Sequence, residues 1–296
     1  MSNTIFKGIA TALITPFDTN NNVDYDALGR IIDWQIDCGI DALVACGTTG
    51  EGPTLTDEEH KEVIRYTVER TAGRVPVIAG TGSNDFAYAV ELTNYACNVG
   101  ADAMLVVTPY YNKATQNGLY QTFMKLADIS TKPLILYNVP SRTGCNITPA
   151  TYARLAEHGN IQAIKEANGN ISSIVETASL IGDKMDIYSG NDDQIVPILS
   201  MGGKGCISVL SNIMPRETCE ITRRWFSGDV AGAAQLQMKY LQLVNALFCE
   251  VNPIPVKAAM AAMGWCEDIL RLPLTNMEEP NRAKLLELMR AEGLNV

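Results

Sequence analysis

Histidine is nearly missing from this chain of 296 residues, which holds His60 and His158 alone. Such scarcity leaves little for a Ser-His or Cys-His catalytic pair, or for a histidine-rich metal site. Both lie in polar, helix-like contexts and read as surface residues. Long apolar runs are also lacking. None approaches the roughly 18–20 residues that span a bilayer, and the N-terminal MSNTIFKGIATALITPF has neither a basic leader nor a long apolar stretch. A soluble, cytoplasmic protein with no membrane contact is expected. Positive charge is sparse: 23 basic residues face 33 acidic ones, for a net charge of −10. No basic cluster exceeds Arg223-Arg224, which argues against a nucleic-acid surface, because phosphate binding needs concentrated positive charge. CxxC pairs are absent among the eight cysteines (38, 46, 97, 145, 206, 219, 249 and 266). Several fall inside apolar segments such as ALVACG and KGCISVL and read as small buried side chains in a reducing compartment. Finally, GTTGEG (47–52), AGTGSN (79–84) and MGGKG (201–205) match neither GxxxxGK[ST] nor GxGxxG. Their glycines suit tight turns whose backbone N–H groups can face a ligand.

What is present is an ordinary globular composition, 47% hydrophobic and 19% charged, patterned in alternation. Eight short β-like runs begin at 8-GIATALITP, 41-DALVACG, 75-VPVIAG, 101-ADAMLVVTP, 133-PLILYNVP, 161-IQAIKEA, 185-MDIYSG and 204-KGCISVL. Segments of helical periodicity lie between them, such as 56-TDEEHKEVIRYTVERTAG, with Thr56 as the N-cap, acidic residues in the first turn and Gly73 at the stop. Eight strand–helix units predict a (β/α)₈ TIM barrel, of class α/β, over residues 1–228. After Ser227-Gly228 the strand signal stops, and 229–296 reads as a C-terminal helical domain.

Barrel enzymes draw catalytic groups from the C-terminal ends of their strands. The polar residues there are Thr48 and Thr49, Thr108 to Tyr111, Tyr137 to Arg142, Lys165 with Glu166, and Gly190. Alternation along 161-IQAIKE puts Ile161, Ala163 and Lys165 on one face and Ile164 on the other. An inward ammonium is costly unless paired or deprotonated. A lysine at the free value of about 10.4 is neutral in roughly one molecule per thousand near pH 7.4, and burial that lowers it toward about 7–8 yields an amine nucleophile for carbonyls. Two readings of Lys165 stay open here: a Schiff-base lysine, or a packed ion pair with a carboxylate other than Glu166, which projects to the opposite face. Tyr137 is a proton carrier or a hydrogen-bonded strand tyrosine. Arg142 is a carboxylate clamp or a loop brace.

Together, GTTGE (47–51), VTPYYNK (107–113), YNVPSRTG (137–144), IKEA (164–167), SGND (189–192) and NPIPVK (252–257) resemble, in order and spacing over nearly the whole chain, the motifs of the pyruvate-dependent class I aldolase superfamily of N-acetylneuraminate lyase and dihydrodipicolinate synthase. The resemblance implies that Lys165 forms an imine with pyruvate, that Thr48 and Thr49 hold the pyruvate carboxylate, and that Thr48, Tyr137 and Tyr111 form a proton relay, Tyr111 entering from a neighbouring subunit. It further implies that Arg142 binds the carboxylate of L-aspartate 4-semialdehyde, that Gly190 and Ile207 line the pocket through backbone carbonyls, and that no metal or external cofactor takes part. A homotetramer, as a dimer of dimers, is implied as well. Rival readings are a lyase for sialic acid or a keto-deoxy sugar acid, in which GSTGE commonly replaces GTTGE and the arginine of YNVPSRTG is lacking, and a barrel kept only for ligand binding. Relatives inhibited by lysine hold it through contacts matching His60, Asn84 and Tyr110, but Tyr88 stands where they carry a glutamate, and Pro53 and Asp57 also differ. Weak or absent lysine inhibition is expected.

Overall fold

The apolar runs form eight strands: β1 (Gly8–Ala12), β2 (Ala42–Ala45), β3 (Val77–Gly80), β4 (Ala103–Val107), β5 (Leu134–Asn138), β6 (Ile161–Glu166), β7 (Asp186–Ser189) and β8 (Gly205–Ser208). The computed structural model describes residues 4–296. The strands are parallel, follow chain order and close β8 onto β1, so the expected eightfold barrel is found. Closure demands glycine at the seam, where a Cβ on Gly205 would lie 1.7 Å from the Gly8 carbonyl oxygen. Around the strands run α1 (Tyr25–Asp37), α2 (Asp57–Thr71), α3 (Phe86–Asn98), α4 (Gln116–Ile129), α5 (Pro140–Thr143), α6 (Pro149–Leu155), α7 (Ile171–Ile181), α8 (Ile195–Ser200) and α9 (Pro215–Ser227). The capping box at α2 forms as its sequence predicts: Glu59 N–H donates to Thr56 Oγ1 and Thr56 N–H to the Glu59 carboxylate.

Two apolar layers follow from the strand alternation. The inward set mixes small residues, Ala10, Ala12, Ala42, Ala103 and Ala163, with larger ones such as Ile78, Ile135, Ile207 and Tyr188 that fill the space between them. Tyr188 stacks on Phe6 with ring centroids 4.1 Å apart and donates its hydroxyl to the Phe6 carbonyl at 2.7 Å. Phe6, just ahead of β1, thereby packs inside the barrel. The outward set, with Leu43, Met104, Leu136 and Ile164, packs under the helices.

One register detail departs from the sequence reading. Ile161 belongs to the outward layer, whereas Ala163 points inward. The pairing jumps from Leu134–Ile161 to Ile135–Ala163, a bulge that leaves Gln162 extra and resets the alternation before Lys165. The inward direction of Lys165 is unaffected by this.

Beyond α9 come α10 (Val230–Ala246), α11 (Ile254–Ala262) and α12 (Glu279–Ala291). Their Leu243, Met260, Leu285 and Met289, with Leu247 just past α10, join the same buried cluster as the outward strand residues. No helix of the described residues is long and apolar enough to cross a membrane.

Candidate active site

Strands β5 and β6 bring Tyr137 and Lys165 into register, and Lys165 is in turn the partner of Tyr188 on β7. Tyr137 and Lys165 are each 6% exposed, and the Lys165 Nζ lies 4.3 Å from the centroid of the Tyr137 ring. A cation over an aromatic face is held by the ring quadrupole, which offsets part of the loss of hydration. Gly190, after β7, packs directly on the lysine stem. A Cβ there would lie 2.8 Å from Ala167 Cβ and 3.2 Å from Lys165 Cε, so a side chain would force Ala167 to shift and press on the lysine stem. Ile207 on β8 is wholly buried in the inward layer. Asp192, also buried, accepts from the N–H groups of Val209 and Leu210 at 2.9 and 3.0 Å. Burial raises its carboxyl above the usual range, opposed by those hydrogen bonds, by Ser208 and by the positive charge of Lys165.

The turn carrying Thr48 and Thr49 is tied together by Gly50 N–H donating to Gly47 O at 3.1 Å and Glu51 N–H to Thr48 O at 3.2 Å. It is also held from the far end of the chain. Asn252 Nδ2 donates to Thr49 Oγ1 at 3.1 Å. Glu51, left-handed at φ 52°, forms an ion pair with Lys257 of α11 in which both side chains are 0% exposed. Its other oxygen accepts the Arg271 N–H at 3.2 Å. Lys257 and Arg271 both lie over the Phe17 ring, at 4.0 and 4.3 Å. Burial lowers the Lys257 pKa from its usual value, and the Glu51 charge opposes that fall. A non-glycine residue in the left-handed region persists only where its surroundings over-determine it, as this clamp does.

Arg142, exposed on α5, donates through Nη2 to the Asn252 carbonyl at 3.1 Å. Thus Asn252 touches both Thr49 and Arg142. Thr48, Tyr137 and Arg142 share the lining of a cavity of about 450 Å³, together with His60, Tyr88 and Tyr110. Thr49, Lys165, Gly190 and Ile207 lie outside that lining, and Lys165 meets the cavity through Tyr137. Tyr111 does not join them. It is 89% exposed, at φ 72°, and no hydrogen bond links it to Thr48 or Tyr137 among the described residues. His60 corrects the sequence reading of a surface residue: it is 6% exposed, with Nε2 2.8 Å from the Gly80 carbonyl. The α2 face that carries it is turned to the barrel, and burial lowers its pKa. His158, partly exposed, lies 3.1 Å from Asp128.

Sequence reasoning missed Glu51, Lys257, Asn252 and Asp192 as parts of the site. The signal available was Lys257 itself, a lone charge in the apolar helix IPVKAAMAA, which demands a buried partner.

Residues 5–292 match the Dihydrodipicolinate synthetase family. A 4-hydroxy-tetrahydrodipicolinate synthase of Clostridium perfringens is 53% identical over 290 residues, which cover 98% of this chain and 99% of that one. The crystal structure of dihydrodipicolinate synthase from Aquifex aeolicus superposes with a TM-score of 0.96 at 46% identity, covering 98% of this chain and 99% of its own. The chloride-inhibited dihydrodipicolinate synthase from Acinetobacter baumannii, complexed with pyruvate, gives a TM-score of 0.96 at 42% identity, covering 98% of this chain and all of its own. The chain belongs to the dihydrodipicolinate synthetase family.

Proposed function

We propose that this chain is a lyase of the class I aldolase type that joins pyruvate to L-aspartate 4-semialdehyde through a Schiff base on Lys165, yielding 4-hydroxy-tetrahydrodipicolinate for diaminopimelate and lysine biosynthesis. One observation carries the assignment of the reacting groups: Lys165 and Tyr137 are register partners, both inward and buried, with the amine 4.3 Å from the ring centroid.

The Lys165 amine adds to the ketone carbon of pyruvate, and loss of water gives an iminium. That cation draws electrons from the adjacent methyl C–H bond, so proton loss leaves an enamine. The enamine carbon attacks the aldehyde, and the Tyr137 phenol supplies the proton that the new alkoxide takes up, later regaining one through Thr48 and Tyr111. The amino group of the second substrate then attacks the iminium carbon, closes the ring and expels Lys165. The iminium is itself the electron sink, so the scheme runs without metal or external cofactor. Thr48 and Thr49 hold the pyruvate carboxylate by hydroxyl and backbone N–H groups, Arg142 grips the second carboxylate bidentately, and Gly190 and Ile207 line the pocket through their carbonyls. The 89% exposure of Tyr111 supports its working in the site of a neighbouring copy, within a homotetramer built as a dimer of dimers. Eight free cysteines suit a cytoplasmic setting.

Borohydride added with pyruvate is expected to fix a mass increase on the peptide that holds Lys165. An unmodified lysine would leave only a ligand-binding barrel. Turnover of N-acetylneuraminate in place of the condensation would move the chain to the sialic acid lyases.

A further inference from the structure

Asn138 follows Tyr137 on β5, Glu166 follows Lys165 on β6, and the strands pair Tyr137 with Lys165 and Asn138 with Glu166. The alternation that turns the first pair into the barrel turns the second pair outward, into the layer shared with α6. Both outward residues are buried, at 0% and 3% exposure. Asn138 Nδ2 donates to both Glu166 carboxylate oxygens, at 3.0 and 3.2 Å, and to Asn146 Oδ1 at 2.8 Å. Asn138 Oδ1 accepts the Ile147 N–H at 3.1 Å. The Tyr152 hydroxyl, from α6, donates to Glu166 Oε2 at 3.0 Å, and the Asn168 N–H to Oε1 at 2.9 Å. Asn146 and Ile147 lie just past α5, which carries Arg142. A single buried hub therefore joins the strand ends of Tyr137 and Lys165 to the loop of Arg142.

Every group aimed at the Glu166 oxygens is a donor, and an ionised carboxylate, which only accepts, is the form that satisfies them all. On the other side of β6, Ser189 of β7 is its register partner. Lys165, on the same strand, projects to the opposite face. Tyr152 is pushed well above its usual pKa by burial and by Glu166, so it stays a neutral donor. Burial raises the Glu166 carboxyl to about 7, opposed by hydrogen bonds from Asn138, Asn168, Tyr152 and Ala167.

We propose that Glu166, acting through Asn138, is a positioning residue for the reaction of Lys165 and Tyr137: its carboxylate fixes the β5–β6 register at the barrel mouth and the loop of Arg142. This rests on the reading of Lys165 as the imine-forming amine. A misplacement of about 1 Å in reacting groups can cost on the order of 10²-fold in rate, so the register of two adjacent strand ends bears directly on turnover. Glu166 and Asn138 face away from the barrel interior and act through the two strands that carry Lys165 and Tyr137.

The test uses the full-length assembled enzyme, its Glu166→Gln variant and its Tyr152→Phe variant, with kcat and KM for both substrates measured across the neutral pH range. Glutamine keeps the shape but sets an NH₂ among donors. Its kcat is expected to fall by at least about tenfold, with the pyruvate KM little changed, and the acidic limb of the parental kcat profile near pH 7 is expected to vanish. Tyr152→Phe leaves the charge and removes one donor, so the limb is expected to move to higher pH; this reading stands even if the glutamine variant fails to fold. A folded Glu166→Gln enzyme with parental kcat and pH profile would overturn the proposal, as would an unshifted limb in Tyr152→Phe. Borohydride trapping of the parent separates the two levels. If the parent traps pyruvate on Lys165 while the variants behave as the parent, only the positioning role fails; if the parent traps nothing, the function it rests on fails with it.

Discussion

Replacing Lys257 by methionine would strand the Glu51 carboxylate in a site where its side chain is 0% exposed, with the Arg271 N–H at 3.2 Å as its remaining partner. Methionine matches the aliphatic stem, so little packing is lost and the effect is mainly electrostatic. Breaking a buried pair from one side costs about 3–5 kcal/mol, because the surviving charge keeps its desolvation and loses its partner. At about 2 °C per kcal/mol for a chain of this size, the melting temperature should fall by roughly 6–10 °C. Adding Glu51→Gln removes the stranded charge, and the double variant is expected to recover to within about 1–2 kcal/mol of the parent. Urea unfolding followed by circular dichroism, at one fixed protein concentration so that assembly contributes equally, reads both numbers. The pyruvate KM should rise in the single variant, since Glu51 shares a turn with Thr48 and Thr49. A single variant within about 1 kcal/mol of the parent, or a double variant no more stable than the single, would refute the clamp.

Tyr137→Phe is expected to lower kcat by about 10²–10⁴-fold while borohydride trapping of Lys165 persists, since the proposed scheme gives proton transfer to the phenol and the imine to the lysine; an unchanged kcat would remove Tyr137 from the scheme. Gly190→Ala sets a methyl 3.2 Å from Lys165 Cε, and overpacking of about 1–3 kcal/mol should appear together with slowed trapping; trapping at the parental rate would contradict the contact. The Glu166 carboxyl, raised by burial from its ordinary 4.5 to about 7 in the fold, makes the folded state hold more protons than the unfolded one between those values. Its contribution is then fully present below pH 4.5 and lost as pH rises through 7, by about 3 kcal/mol in all. Glu166→Gln should flatten that decline in urea titrations, and an unaltered slope would count against it. In the cavity shared by His60 and Tyr110, the Tyr88 phenol is pushed up to about 12, mainly by burial, and carries no negative charge near neutrality. Lysine should therefore inhibit weakly, and a micromolar inhibition constant would show otherwise.

The strand count and the inward turn of Lys165 were legible because both rest on local periodicity, which the chain carries residue by residue. Glu166 could be assigned to the helix layer by the same alternation, but its donors Tyr152 and Asn138 could not be, being brought in by α6 and β5. The bulge at Gln162 is invisible locally, since Ile161 and Ala163 are both apolar and either face would accept them. His60 misled because its neighbours in sequence are charged, whereas the helix presents it to the barrel. Glu51 and Lys257 are 206 residues apart, and no pattern of short range could join them. Tyr111 is 89% exposed, with no hydrogen bond to Thr48 or Tyr137 among the described residues, and a relay through it, as proposed, rests on a second copy that one chain does not display.

The contacts that hold Thr48 and Thr49 span 203 residues to Asn252 and 206 from Glu51 to Lys257. Synthesis proceeds from the N-terminus at roughly 5–20 residues per second, so the turn is made about 10–40 s before the side chains that secure it. By then all eight strands, with Lys165 and Tyr137 on them, have been made. A nascent chain arrested short of Asn252 would thus contain the amine and the phenol while the turn of Thr48 and Thr49 still lacked its fastening, and that turn would be secured only once α11 has been made.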